Sequence, residues 1–430
     1  MAKGMRGAGL RAAAVALAAA TVVGVVAPVA GAAGASEGAR SVSVTAEAEA
    51  DAGAVAGARV DRAALDAALR AVVVEGGSTA ALGRLVENGR TVWQGAAGKA
   101  DLDRGTPARA DGRFRIGSVT KTFVATVLLQ LEAERRVDLD APVERYLPGT
   151  VPNGRNITVR QLLNHTSGVY NYTEDRSFQD FDTPEGIRRW LDHGRWADRT
   201  PAELVRIAVA HEPYFAPGTD WHYSNTNYVL AGMIVEKVTG RSWNAELERR
   251  IVRPLGLTST SFPTTDTAVP GVHAKGYLQL PDGGRADVTR LNPSMAGAAG
   301  AGISSTADLA KFNAALLGGR LLPKAQLNEM TTVTPQSLKY VPYGLGLMRE
   351  DTPCGTYWGH GGGIPGYGTQ ILGQLGGKRQ LSFSYNAFDN GKVEEANRTL
   401  GELQARLACG TAAPAAGGTA PSPSLTAKLG

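Results

Sequence analysis

A chain of 430 residues, 43% hydrophobic and 20% charged, is long enough for one large domain or two lobes with substantial cores. Its formal net charge is +5, and three of those positive charges (Lys3, Arg6 and Arg11) stand in the first 32 residues, where there is no acid. The remainder is close to neutral and holds no Lys/Arg run, which argues against nucleic acid as a partner.

The chain opens with basic residues, an apolar run from Ala12 to about Val29 and small-residue sites at Ala30-Gly31-Ala32 and Ala33-Gly34-Ala35. This layout predicts a signal peptide over 1–32, cleaved between Ala32 and Ala35. The mature protein is then expected outside the cell without a membrane span. Residues 33–60 lack either period and read as a linker; 411–430, without an aromatic residue, read as a disordered tail. The domain expected between them covers 61–410.

Within it, residues 80–99 read as two strands around Asn88-Gly89. A helical section follows. Thr158 can cap VRQLLNH, Pro201 opens AELVRIAVAH, and Asn225 or Thr226 starts NYVLAGMIVEKV, which stops at Gly240. Ser242 and Ser305 look like further caps. Two more strands flank Gly376-Gly377, and a last helix runs from Val393 to Leu407. Strands at both ends with helices between predict an α/β lobe closed by its two termini and a mostly helical lobe, with a cleft between them. Cys354 and Cys409 are the only cysteines. In an exported chain they predict one disulfide, worth about 4 kcal/mol on the chain-entropy account; two buried thiols are the alternative.

Three stretches carry chemistry. In FRIGSVTKTFVATVLLQL, Gly117 permits a tight turn, Ser118 heads a core helix and Lys121 lies one turn in, on the same face. Burial would make the lysine a neutral base able to take the serine's proton. The bland reading is an N-cap serine and a lysine that snorkels to solvent. In WHYSNTNYVLAG, Tyr223 and Asn225 alternate, so a phenol and an amide can face the same site. In WGHGGGIPGYGT, His360 sits among glycines at a strand edge, where backbone N–H groups can reach a substrate or an oxyanion. Each alone has a structural reading: a capping turn for Tyr223 and Asn225, a glycine-rich turn for His360.

Together, Ser118-Val119-Thr120-Lys121, Tyr223-Ser224-Asn225 and His360-Gly361-Gly362 resemble the three motifs of class C type serine β-lactamases and DD-peptidases, among them the secreted D-alanyl-D-alanine carboxypeptidases. The likeness runs from about residue 78 to Cys409 and takes in ITVRQLLNHTSGVYNYT, GISSTADL and YGLGL. It implies an α+β fold of the β-lactamase/transpeptidase type, an antiparallel sheet flanked by helices plus a helical lobe. It implies Ser118 as acylated nucleophile, Lys121 as its base, Tyr223 as proton shuttle and Asn225 as the residue that orients lysine and substrate. His360 would line the strand edge, with Gly361 and Gly362 along the substrate. The N–H groups of Ser118 and Gly363 would form the oxyanion hole, and Cys354 and Cys409 match a disulfide of the secreted members. Neither metal nor organic cofactor is implied.

Two departures stand out. The carboxypeptidases of the family carry His-Thr-Gly-Thr where this chain has His360-Gly361-Gly362-Gly363, and an arginine where it has Met348. Those groups hold the peptide's terminal carboxylate, each hydrogen bond worth roughly 1.5–3 kcal/mol. Arg349 is adjacent, but along a strand it faces the other way. Met295 takes the place of an expected aromatic residue before GISS. His165 reads as a helix cap and cleft floor, Tyr170 and Phe178 as cleft walls. The leading expectation is an exported, monomeric serine hydrolase acting on D-amino-acid peptides such as peptidoglycan stem peptides, and acylated by β-lactams. The alternatives are an esterase or D-aminopeptidase of the same mechanism, or a non-catalytic penicillin-binding sensor.

Overall fold

The computed structural model describes residues 60–386 and 392–410. The predicted signal peptide and tail, and all of the predicted linker but Val60, lie outside them. Seven strands form the main sheet: β1 (Ala80–Glu87), β2 (Arg90–Asp101), β3 (Thr106–Pro107), β4 (Met348–Thr352), β5 (Gly355–Ile364), β6 (Tyr367–Gly373) and β7 (Arg379–Tyr385). Their order is β3-β2-β1-β7-β6-β5-β4, and every neighbouring pair is antiparallel. The Asn88-Gly89 turn has φ of 48° and 76°, the left-handed pair that a tight hairpin needs. At the centre the first long strand pairs with the last, Leu82 opposite Ser384 and Leu85 opposite Leu381.

Alternation along β7 separates the two faces. Leu381 and Phe383 meet helices α1 (Arg62–Val74) and, at the other end of the chain, Val393–Cys409, through Leu65, Leu69, Leu403 and Leu407. Gln380 and Ser382 face the opposite way and bond to the helix Thr306–Leu317: Asn313 Nδ2 donates to Gln380 Oε1 at 2.8 Å, and Ser382 Oγ to the Thr306 carbonyl at 2.9 Å. Helix α1 was not among the predicted elements. Its signals are in the sequence: Asp61 caps the Ala64 N–H, and Leu65, Ala68, Leu69 and Val72 fall on one face.

The helical lobe is built on α2 (Thr120–Ala133) and α3 (Asn225–Thr239). Helix α2 is buried on every side from Thr120 to Leu129, and Phe123 stacks on Phe312 at 3.6 Å. A helix with no solvent face gives Lys121 nowhere to snorkel. Helix α3 ends at Gly240, φ 70°, and the predicted caps Thr158 and Ser305 each accept a backbone N–H. Cys354 and Cys409 form the predicted disulfide, Cα atoms 5.3 Å apart, and tie the β4–β5 turn to the C-terminal helix. Among the described residues no helix is long and apolar enough to cross a membrane.

Candidate active site

The turn before α2 is set by backbone crowding. Gly117 has φ 48°, and a Cβ there would lie 2.6 Å from the Gly363 carbonyl oxygen. Gly362 is tighter still: its Cβ would come 2.0 Å from the Ile116 carbonyl oxygen and 3.0 Å from the Ser118 nitrogen. Strand β5 therefore runs directly past the Ser118 amide, which is possible only because both partners lack side chains. Ser118 lies in a single 3₁₀ turn, Gly117–Val119, and keeps 8% exposure.

Lys121 is fully buried, and its Nζ sits at the meeting of three contacts: Ser118 Oγ at 2.8 Å, Asn225 Oδ1 at 2.7 Å and the Ala299 carbonyl at 2.7 Å. Burial drives its pKa well below the usual lysine value. A neutral amine has two N–H bonds and one lone pair. The amide and carbonyl oxygens can only accept, so they take the two N–H bonds, and the lone pair is left for the Ser118 hydroxyl. The arrangement can deprotonate a serine without first shedding a proton to water.

Asn225 is held so that its oxygen faces the lysine. Its Nδ2 donates to Thr173 Oγ1 at 3.1 Å, its backbone N–H to Asn171 Oδ1 at 3.0 Å, and Thr173 Oγ1 donates on to the same Asn171 oxygen. Asn225 is the first residue of α3, not part of an extended pair with Tyr223; the extended Ser224 precedes it without a side-chain cap. The Tyr223 ring lies beneath Lys121, 4.8 Å from Nζ to its centroid. Its hydroxyl is buried, and Ser118 is the side chain within its bonding reach. Burial raises its pKa well above the usual phenol value, and Ser118 is the group that opposes the shift.

His165 holds this arrangement from below. It adopts φ 64° just past the helix Val159–Leu163 and stacks obliquely on Tyr223, centroids 4.3 Å apart. Its Nδ1 accepts the Ser224 N–H at 3.1 Å, which places the ring proton on Nε2. Burial keeps it neutral.

The remaining predicted residues fall at different depths. His360 is completely buried; its Nε2 accepts from the Tyr343 hydroxyl at 2.9 Å and its Nδ1 bonds to the Gly361 carbonyl. Burial pulls its pKa down to about 3, so it is a neutral brace behind the strand and presents no charge at the strand edge. Gly361 and Gly362 are buried and Gly363 is exposed, with no atom within 4 Å of where its Cβ would be. Met348 is also fully buried, packed with Trp221, Tyr223, Val341 and Tyr343. Arg349 points away from it and pairs with Asp351. Phe178 packs edge-on against Tyr172, 4.9 Å between centroids, and Tyr170 stacks on His211 at 3.9 Å.

Four contributors were not predicted: Asn171, Thr173, Tyr343 and the Ala299 carbonyl. NYT, residues 171–173, and Tyr343, the first residue of YGLGL, lie inside stretches quoted for the family likeness, and that was the available signal for three of them. Ala299 acts through its backbone, which sequence does not mark.

Residues 65–405 match the family model described as Beta-lactamase. Among solved structures, a D-stereospecific amidohydrolase from a Streptomyces species is similar at 47% identity, TM-score 0.70, over 78% of this chain and 98% of that one. The D-amino acid amidase of Ochrobactrum anthropi SV3, solved with D-phenylalanine, is similar at 30% identity, TM-score 0.67, over 79% and 99%. A penicillin-binding protein of Bacillus subtilis is 27% identical over 325 residues, 72% of this chain and 68% of the relative.

Proposed function

Since this chain belongs to the beta-lactamase family of serine hydrolases, we propose that it is an exported hydrolase that cleaves amides and esters of D-amino acids through an acyl-enzyme on Ser118. The observation that carries this reading is the 2.8 Å contact between Ser118 Oγ and a buried Lys121 Nζ whose other contacts are both acceptors. Ser118 Oγ attacks the acyl carbonyl while its proton passes to Lys121. The oxyanion is held by the N–H groups of Ser118 and Gly363. Tyr223, with its hydroxyl unspent, passes the proton on to the leaving nitrogen or oxygen. Water then releases the acyl group along the reverse path.

Two features favour an acyl donor without a free C-terminal carboxylate. Gly361 and Gly363 offer no hydroxyls, and the arginine of the carboxypeptidases is replaced by a methionine sealed in an apolar cluster. The similarity to a D-stereospecific amidohydrolase and a D-amino acid amidase supports the same choice. The second reading, a carboxypeptidase acting on stem peptides ending in D-Ala-D-Ala, is favoured by the similarity to a penicillin-binding protein.

Intact-protein mass spectrometry with four donors decides between them: a D-amino acid amide, a simple ester, a peptide ending in free D-Ala-D-Ala and penicillin. Adducts and turnover with the amide and ester, and weak turnover of the free peptide, are expected, and Ser118→Ala should give none. Fast turnover of the free peptide alone would transfer the case to the carboxypeptidase. Binding of penicillin with no adduct on any donor would leave a sensor.

A further inference from the structure

Arg115 stands three residues before Ser118, on the short strand Arg113–Arg115, and its side chain is 1% exposed. Among the described residues it forms no ion pair with a carboxylate. Its guanidinium donates instead to backbone carbonyls: Nη2 to Thr267 at 2.6 Å, Thr289 at 3.2 Å and Leu291 at 3.3 Å, and Nε to Thr289 at 3.3 Å. Nη1 has no partner. Burial lowers its pKa to about 10, with Tyr367 and Asp266 acting in the opposite direction. A buried cation without an ion-pair contact is a costly way to fill space, so what it holds is informative.

From Leu291 the chain runs through Met295, whose carbonyl accepts from the Tyr172 hydroxyl at 2.8 Å, to Ala299, whose carbonyl accepts from Lys121. The far end of the same segment is pinned to the strand-and-turn of Ser118. Ile116 N–H donates to the Gly302 carbonyl at 2.9 Å, and Gly302 N–H donates to Thr120 Oγ1 at 3.0 Å. We propose that Arg115 is a positioning residue for acyl transfer, a guanidinium clamp that fixes the near end of this segment so that the Ala299 carbonyl meets Lys121. The proposal rests on the reading of Lys121 as the acceptor of the serine proton.

With the clamp cut, Ala299 drifts, water reaches Lys121 and the amine keeps its proton to higher pH. The titratable groups around that amine are Tyr223 and Tyr228, whose ring centroids lie 4.8 and 5.7 Å from Nζ, and the neutral His165 and His360. None of them contacts Arg115 through the bonds given above, so Arg115→Met isolates the lysine.

The test is single-turnover acylation of the full chain by a reactive ester across pH, for wild type, Arg115→Met and Arg115→Lys, with competent sites counted by intact mass. For Arg115→Met the acid limb should move up by about one pH unit, with at least about tenfold slower acylation at neutral pH in the competent fraction. Arg115→Lys, which keeps charge but not the fork, should fall between. An unmoved limb in either folded variant overturns the proposal even if thermal stability drops, and Arg115→Lys alone decides if the methionine variant does not fold. Should wild type form no adduct at all, the function reading has failed, and amide hydrogen exchange over residues 289–302 still reads the clamp: faster exchange in the variant supports it, unchanged exchange overturns it.

Discussion

Lys121 Nζ reaches Ser118 Oγ at 2.8 Å from a helix buried on every side over Thr120–Leu129, and two oxygen acceptors fill the rest of its bonding shell. The pair is thus a base poised in its neutral form, and its consequences can be measured residue by residue.

The lysine's buried state has a pH signature. Its folded pKa is depressed, so between that value and the unfolded value of about 10.4 the unfolded chain binds one more proton. Stability therefore rises with pH across the window and loses this contribution below the folded pKa. Relative to Lys121→Met, wild type should gain stability as pH rises from the depressed folded value toward the unfolded one, by up to about 1.4 kcal/mol per pH unit. Urea unfolding of both proteins at several pH values measures the difference, and a flat difference would mean the lysine is charged in the fold.

Tyr223 separates activity from stability. Its hydroxyl is buried with only Ser118 in reach and makes no well-formed hydrogen bond, so Tyr223→Phe removes a group whose hydration folding has already sacrificed. Acylation should fall by about 10²–10⁴ while the melting temperature stays level or rises. A loss of stability would reveal a hydrogen bond that the hydroxyl makes in solution.

Neighbouring glycines should respond in opposite ways. Gly362→Ala drives a methyl against the Ile116 carbonyl and the Ser118 amide, and should abolish acylation. Gly363→Thr enters open space and should fold normally. By restoring a hydroxyl beside the acyl pocket it should improve turnover of peptides ending in a free carboxylate relative to their amides. Met348→Arg, by contrast, would place a charge among Trp221, Tyr223 and Tyr343 and should destabilise by several kcal/mol. Kinetics on a peptide and its amide, beside thermal melts, test all three.

The disulfide acts on stability alone. Cys409→Ser opens the link between the β4–β5 turn and the last helix and should cost about 4 kcal/mol on the chain-entropy account. Acylation per folded molecule should be unchanged. Equal midpoints for the two proteins in denaturant would show that the bridge adds nothing.

Local signals in the sequence marked what local physics controls. Asn88-Gly89 gave the hairpin, Gly117 the turn, and Gly240 the end of α3, each through a backbone angle that few residues tolerate. Serine and lysine at i and i+3 share a helix face, and the spacing accounts for their 2.8 Å contact. Burial depth was not legible. His360 and Met348 are sealed because Tyr343 and Trp221 arrive from other parts of the chain. The same holds for the lysine's second and third contacts, which come from residues 225 and 299. Helix α1 was readable from Asp61 and its apolar stripe but was lost beside an alanine- and glycine-rich segment that lacks any period.

The pairing of β1 with β7 at the heart of the sheet has a further consequence, for biosynthesis. The strand starting at residue 80 finds its neighbour only when residues 379–385 have left the ribosome. Until then one side of it is an open ladder, and contacts of such sequence separation form slowly. Any product stopped before that point presents a raw edge to its own kind and should aggregate rather than work. Native structure at the centre of the sheet is thereby deferred until residues 379–385 are available to pair.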